Sequence, residues 1–175
     1  MKKDKHKSQF EIEADAKTEM GYLWSIFFDG AFSKDGSGAR ILLIFSIGKT
    51  YKFSFTLCFP CTNNIAEYEA LLLGLRLAHK YGIKCLKVVG DYKLVVSQVK
   101  NVYVLKNKRL KQYRNVVWDM IEFFDAFGIT WKYRSCNKMA DLLANIAIKL
   151  DDVTFTGLSK IEVQTKPSIL DNVQN

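Results

Sequence analysis

The sequence is poor in the residue types that build zinc and redox sites. It contains only two histidines and four cysteines among 175 residues. Cys58 and Cys61 have the spacing of a metal or redox pair, but the chain has no second pair of this kind and no histidine cluster. We therefore interpret them as a strand end that runs into a turn, in a protein of a reducing, intracellular compartment such as the cytoplasm or nucleus.

Long hydrophobic runs are also missing. The apolar run at residues 41–47 has the length of a strand and is too short to span a membrane. The basic residues 1–7 are followed by polar residues 8–11 and not by an apolar stretch, so we expect no signal peptide. We expect no membrane partner, while the basic start leaves a nuclear-import signal open as an alternative.

The size and charge of the chain favour one domain with an anionic partner. A chain of 175 residues with 49% hydrophobic content can bury one good core. Its net charge of +8 favours nucleic acid as the partner. We expect a monomeric domain at residues 21–151, between a flexible leader at 1–20 and a flexible tail or linker at 152–175.

Two predicted strands each run into a carboxylate. Residues 23–28 are almost continuously apolar and end at Asp29, and residues 85–90 end at Asp91 in the same way. Residues 39–47 and 49–57 predict two further strands of an antiparallel meander, followed by a helix. A strand, helix and strand in this order imply a right-handed crossover, and sites gather beyond the carboxyl ends of such strands. Asp29 and Asp91 are therefore expected to meet.

The helix between these strands carries a third carboxylate. We expect Asn63 or Asn64 to cap a helix that continues to about residue 81. Glu67 falls on the stripe that faces the core, whereas Glu69 is predicted to point into solvent. A buried carboxylate costs several kcal/mol unless a cation meets it, so Glu67 predicts a metal site or a basic partner. The other members of its stripe are Leu71, Gly74 and Ala78.

The second half of the chain predicts short and long helices, a fifth strand and a last helix. The helices are expected at residues 94–99 and 106–127, and the strand at 129–133. Asn137 predicts the cap of a last helix through about residue 150, which carries Asp141 in its first turn. A run of basic residues with no acid among them indicates a nucleic-acid contact in preference to a merely solvated face: Lys100, Lys106, Lys108, Arg109, Lys111 and Arg114.

The four carboxylates and the residues around them resemble the type 1 ribonuclease H domain. Asp29, Glu67, Asp91 and Asp141 follow the family's order of strand end, helix, strand end and helix. The similarity extends over residues 22–150 and is strongest in FDGA (28–31), TNNIAEYEAL (62–71), GDYKLVV (90–96) and NKMAD (137–141). The sequences of these blocks are similar to those of the branch found in plant Ty3/gypsy-type retrotransposon polyproteins. The chain is therefore expected to belong to or derive from such a polyprotein.

The resemblance implies both a fold and a reaction. The fold is an α/β, ribonuclease H-like architecture with a five-stranded mixed sheet in the order 3-2-1-4-5 and helices on both faces. The reaction is two-metal-ion hydrolysis of the RNA strand of an RNA–DNA hybrid, with the four acids as catalytic ligands of two Mg²⁺ or Mn²⁺ ions. The expected nucleic-acid contacts are Gly30, Asn63, Asn64, Lys106, Lys108, Arg109, Lys111 and Arg134, and Asn63 or Asn64 with nearby backbone is expected to contact the 2′-hydroxyl.

The chain departs from the family pattern at two places. Tyr92 stands where a small polar residue is common, and residues 131–136 lack the histidine of many relatives. Neither change removes a ligand, but the tyrosine is expected to crowd the substrate edge of the site. Two other functions remain as alternatives: a catalytically weak or inactive nucleic-acid-binding module of transposon origin, and another nuclease or transposase of the same superfamily.

Overall fold

A computed structural model describes residues 23–45, 50–132 and 159–170 of the chain. In these ranges the chain forms, in order, β1 (Leu23–Ser33), β2 (Gly36–Phe45), β3 (Thr50–Leu57), α1 (Asn63–Lys80), β4 (Cys85–Gly90), α2 (Lys93–Val99), α3 (Lys108–Ile121), β5 (Ala126–Trp131) and β6 (Ser159–Gln164). The predicted leader, the predicted last helix, Arg134 and Asp141 lie outside the described residues. None of the helices in the described ranges is long and apolar enough to cross a membrane.

The strands form one mixed sheet in the order β5-β4-β1-β2-β3-β6. β1, β2 and β3 pair antiparallel as a meander, while β4 lies parallel to β1 and β5 parallel to β4. The predicted order 3-2-1-4-5 is therefore confirmed for the first five strands. Phe28 pairs with Gly90 at the end of the parallel ladder, so Asp29 and Asp91 follow side by side at the same edge of the sheet.

The sixth strand corrects the expectation of a flexible tail for residues 159–170. β6 pairs parallel with β3, from Lys52 opposite Ser159 to Leu57 opposite Gln164. An edge strand presents unpaired backbone groups, and β6 satisfies those of β3. Residues 160–164 read Lys-Ile-Glu-Val-Gln, an alternation typical of a strand. The boundaries proposed for the domain at residues 21 and 151 stay predictions.

Helix α1 begins and ends through local contacts. Thr62 is its N-cap, with Oγ1 accepting a hydrogen bond of 3.2 Å from the Ile65 amide, so the predicted cap at Asn63 or Asn64 was one or two residues late. At the other end Gly82 adopts a positive φ of 74°, which a glycine tolerates without steric cost. α1 packs on β1 and β2 with one side and on α3 with another. It is therefore buried over most of its circumference.

The three helices share one hydrophobic core on one face of the sheet. Ile26 and Phe28 of β1 belong to this core, together with apolar residues of α1, α2 and α3. The other face carries a separate buried cluster of Phe27, Leu42 and Val89. The described helices lie on the first face, so the expectation of helices on both faces is not tested for the second. Helix α3 ends at Ile121, earlier than predicted, because residues 126 and 127 already belong to β5.

Candidate active site

Three carboxylates meet where the parallel ladder of β1 and β4 ends, and β1 itself continues past Asp29 to Ser33, beyond the predicted strand end. One oxygen from each of Asp29, Glu67 and Asp91 lies within 4.8 Å of the other two. Glu67 is only 5% exposed in the second turn of α1, while the two aspartates are half-buried. The sequence predicted this meeting from two strand ends and one inward helix face. Asp141, the fourth predicted ligand, lies outside the described residues.

Two glycines allow the site to be this compact. A Cβ on Gly30 would lie 2.3 Å from the carbonyl carbon of Ala66 and 2.4 Å from the amide nitrogen of Glu67. β1 therefore touches the backbone of α1 at Gly30, just past the end of its ladder with β4, which brings Asp29 beside Glu67. A Cβ on Gly90 would lie 2.6 Å from the Phe28 ring. The contact of Gly30 with nucleic acid stays a prediction, whereas its close packing on α1 is a structural requirement.

Two neighbours of the acidic cluster were not identified from the sequence. Arg40 on β2 forms an ion pair of 3.2 Å with Asp29, which is its cross-strand partner. Trp131 at the end of β5 donates from Nε1 to the backbone oxygen of Asp91 over 3.3 Å. A lone arginine within the apolar strand sequence of β2 was the available signal for the first contact. The Trp131 contact had no such signal, because it depends on the pairing of β4 with β5.

Tyr92 directly follows Asp91 and lies near Glu67 and Asn64, and the expectation that it crowds the substrate stays a prediction. Its hydroxyl donates a hydrogen bond of 2.5 Å to Oδ1 of Asn64, and both residues are half-buried. Burial, and secondarily the negative charge of Glu67, raise the pKa of the Tyr92 phenol above its ordinary value. The phenol therefore stays protonated at neutral pH. It engages one of the two asparagines expected to contact nucleic acid.

Glu69 is fully buried, which corrects the prediction that it points into solvent. Its carboxylate accepts hydrogen bonds from the Tyr113 hydroxyl at 2.5 Å and from the Ser168 amide at 2.8 Å, and also from the Ser168 hydroxyl. Burial raises the pKa of the Glu69 carboxyl, and the hydrogen bonds from Ser168 and Tyr113 oppose that rise. The prediction failed because α3 and residues 167–170 cover the side of α1 opposite the sheet.

The predicted phosphate contacts are exposed, and the single described histidine is remote from the acids. Lys106, Lys108, Arg109 and Lys111 all have exposed side chains around the start of α3. His79 stacks on Phe123, with ring centroids 4.2 Å apart, near the end of α1. The exposed basic residues can reach a phosphate backbone, but their contact with nucleic acid stays a prediction.

Comparisons with known proteins agree with this geometry. A family model described as reverse transcriptase-like matches residues 27–147. Ribonuclease HI of Halobacterium salinarum is 30% identical over 147 residues, which cover 83% of this chain and 73% of that protein. The chain belongs to the type 1 ribonuclease H family. A bifunctional protein of Mycobacterium tuberculosis is 36% identical over 87 residues, covering 50% of this chain and 24% of that protein.

Solved structures of the family share the fold of this ribonuclease H domain. The crystal structure of the Halobacterium salinarum ribonuclease H1 superposes with a TM-score of 0.62 at 28% identity, covering 73% of this chain and 98% of that one. LC11 ribonuclease H1, isolated from compost by a metagenomic approach, was crystallised with an RNA/DNA hybrid. It superposes with a TM-score of 0.58 at 25% identity, covering 69% of this chain and 92% of that one. The plant retrotransposon branch stays a prediction.

Proposed function

We propose that this ribonuclease H domain is an endoribonuclease that cleaves the RNA strand of RNA–DNA hybrids with two divalent cations, Mg²⁺ or Mn²⁺. The observation that carries the proposal is the cluster of Asp29, Glu67 and Asp91, whose oxygens lie within 4.8 Å of one another. The hybrid in the LC11 ribonuclease H1 structure supports the choice of substrate. Asp141 is proposed as the fourth ligand, on the family resemblance alone.

The donor set fits a hard divalent cation. All three side chains offer carboxylate oxygens, the ligands that Mg²⁺ and Mn²⁺ prefer, and no sulfur or imidazole is among them. Three carboxylates this close repel one another, so cations would relieve a repulsion that the single charge of Arg40 only reduces. When bound, two such cations would supply a Lewis acid for the attacking water and charge compensation for the leaving 3′ oxygen.

The side chains around the acids prepare the site before substrate arrives. The packing of Gly30 on α1 fixes Asp29 beside Glu67, and the Trp131 hydrogen bond holds the backbone at Asp91. Such fixed positions reduce the reorganisation needed during catalysis. Lys106, Lys108, Arg109 and Lys111 are proposed to contact phosphates. The domain is further proposed to act as a monomer and to belong to or derive from a retrotransposon polyprotein.

A cleavage assay tests the proposed function. The full chain is incubated with a hybrid labelled at the 5′ end of its RNA strand, and with single-stranded RNA, double-stranded RNA and DNA duplex of the same sequence. We expect internal cleavage of the hybrid RNA alone, in Mg²⁺ or Mn²⁺ and not in EDTA. Hybrid binding without cleavage under any of these cations would favour an inactive binding module. Cleavage of DNA duplex would favour another nuclease of the superfamily.

A further inference from the structure

The side chain of Tyr92 links the segment that follows β4 and carries Asp91 to helix α1, which carries Glu67. Tyr92 follows Asp91 and occupies the N-cap position of α2 without forming a side-chain capping bond. Its ring packs against the hydrophobic core, and its hydroxyl reaches Oδ1 of Asn64 on α1. Asn64 lies three residues before Glu67. A single hydrogen bond thus joins the residue after one acid to a polar side chain beside another.

This hydrogen bond restrains the Asn64 amide, whose Oδ1 is turned toward Tyr92. A free asparagine can rotate its amide by half a turn and present either its oxygen or its NH₂ group to a partner. With Oδ1 held by the Tyr92 hydroxyl at 2.5 Å, the NH₂ group is the part of Asn64 left to donate elsewhere. Fixing one orientation in advance removes an entropic cost of binding. The partner that benefits is a hydrogen-bond acceptor.

An acceptor of this kind distinguishes RNA from DNA. In an A-form duplex, an RNA strand displays its 2′-hydroxyl groups in the minor groove, and a DNA strand has no such groups. Building on the function proposed above, we propose that Tyr92 is a positioning residue that holds the Asn64 amide ready to donate to a 2′-oxygen of the RNA strand. Tyr92 thereby strengthens the preference of this domain for hybrid over DNA duplex without touching the reacting atoms.

Equilibrium binding tests this role separately from catalysis. Fluorescence anisotropy of the full chain in EDTA compares a labelled RNA–DNA hybrid with a DNA duplex of the same sequence. We expect Tyr92→Phe to weaken hybrid binding by roughly three- to tenfold, the size of one neutral hydrogen bond, and to leave duplex binding unchanged. Asn64→Ala should weaken hybrid binding by a similar factor. The double variant should bind the hybrid no more weakly than Asn64→Ala alone, because the two residues act as a unit.

Tyr81→Phe is the matched control, because it removes the same hydroxyl from an exposed tyrosine at the other end of α1. It should bind both nucleic acids as the wild type does.

Two outcomes would overturn the role of Tyr92. One is an equal preference for hybrid over duplex in Tyr92→Phe and wild type, and the other is a double variant whose loss of hybrid affinity is the sum of the two single losses. In Mg²⁺, Tyr92→Phe should raise KM for the hybrid and keep kcat. Wild-type cleavage in that assay tests the proposed function, and the variant-to-wild-type binding ratio tests the positioning role.

Discussion

Arg40 and Asp29 form an ion pair across β1 and β2, with Nη2 and Oδ2 separated by 3.2 Å. The two residues are cross-strand partners, so the sheet register itself places a guanidinium beside the acidic cluster. The arginine side chain is 62% exposed and the aspartate side chain 23% exposed, which leaves the pair accessible to solvent and ions. Arg40 is therefore expected to compete with a divalent cation proposed to bind the same carboxylate.

Removal of Arg40 should tighten cation binding. Arg40→Met is expected to lower the Kd for Mn²⁺, measured by electron paramagnetic resonance or calorimetry, by about two- to fivefold, the effect of a solvent-exposed ion pair. Lys52→Met removes the same charge from an exposed position on β3 and should change the Kd little. Equal changes in both variants would mean that only net charge matters.

Replacement of Asp91 by asparagine should abolish cation-dependent cleavage. Asp91→Asn keeps the shape of the side chain but removes one of three negative charges within 4.8 Å of one another. The thermal midpoint should stay within a few degrees of the wild type, while single-turnover cleavage of the hybrid falls below detection. Asp125→Asn is the control, because Asp125 is exposed and precedes β5 at the opposite edge of the sheet. Full activity in Asp91→Asn would refute the site assignment.

The basic residues at the start of α3 should set the salt dependence of binding. If Lys108 neutralises one phosphate, Lys108→Ala should reduce the slope of log K against log[salt] by roughly 0.9, through counterion release. The same is expected for Lys106, Arg109 and Lys111, which are also exposed. Lys52→Ala, on β3, should leave the slope unchanged. Four single variants with the wild-type slope would identify this surface as merely solvated.

Ser168 should stabilise the fold through the buried Glu69 carboxylate. Ser168→Ala removes the hydroxyl donor and is expected to lower the free energy of unfolding by about 1–3 kcal/mol, measured by urea denaturation. The half-buried Ser97 lies within α2, where alanine favours the helix, so Ser97→Ala should change stability by less than about 0.5 kcal/mol. Equal stability of Ser168→Ala and wild type would show that residues 167–170 do not secure Glu69.

An alanine at position 30 should disturb the active site. The added Cβ would overlap the backbone of Ala66 and Glu67, so Gly30→Ala is expected to cost about 1–3 kcal/mol of stability and to weaken Mn²⁺ binding. Gly74→Ala is the control on α1, because its Cβ would meet Ile26 and Ile41 at an ordinary contact distance of 3.5 Å. Normal cation binding by a stable Gly30→Ala protein would contradict the role given to this contact.

The three described acids were accessible from the sequence because they follow from local patterns, whereas the complete strand order came from the resemblance to the ribonuclease H family. Apolar runs that end at Asp29 and Asp91 indicate strands, and the crossover rule places their ends together. Glu67 was recognisable because a charge interrupts an inward helical stripe. Asp141 and the phosphate contacts were also proposed from the sequence, and they stay predictions.

Contacts between distant parts of the chain could not be predicted from local sequence patterns. The burial of Glu69 depends on Ser168, 99 residues away, and helical periodicity does not reveal which second surface covers a helix. β6 was missed because an alternating strand pattern does not show which strand it pairs with, and here the partner is the otherwise open edge of β3. The contacts of Arg40 with Asp29 and of Tyr92 with Asn64 arise from sheet register and helix packing. Local sequence patterns indicated the candidate ligands, whereas the neighbours that orient them follow from long-range packing, because residues far apart in the chain meet only in the fold.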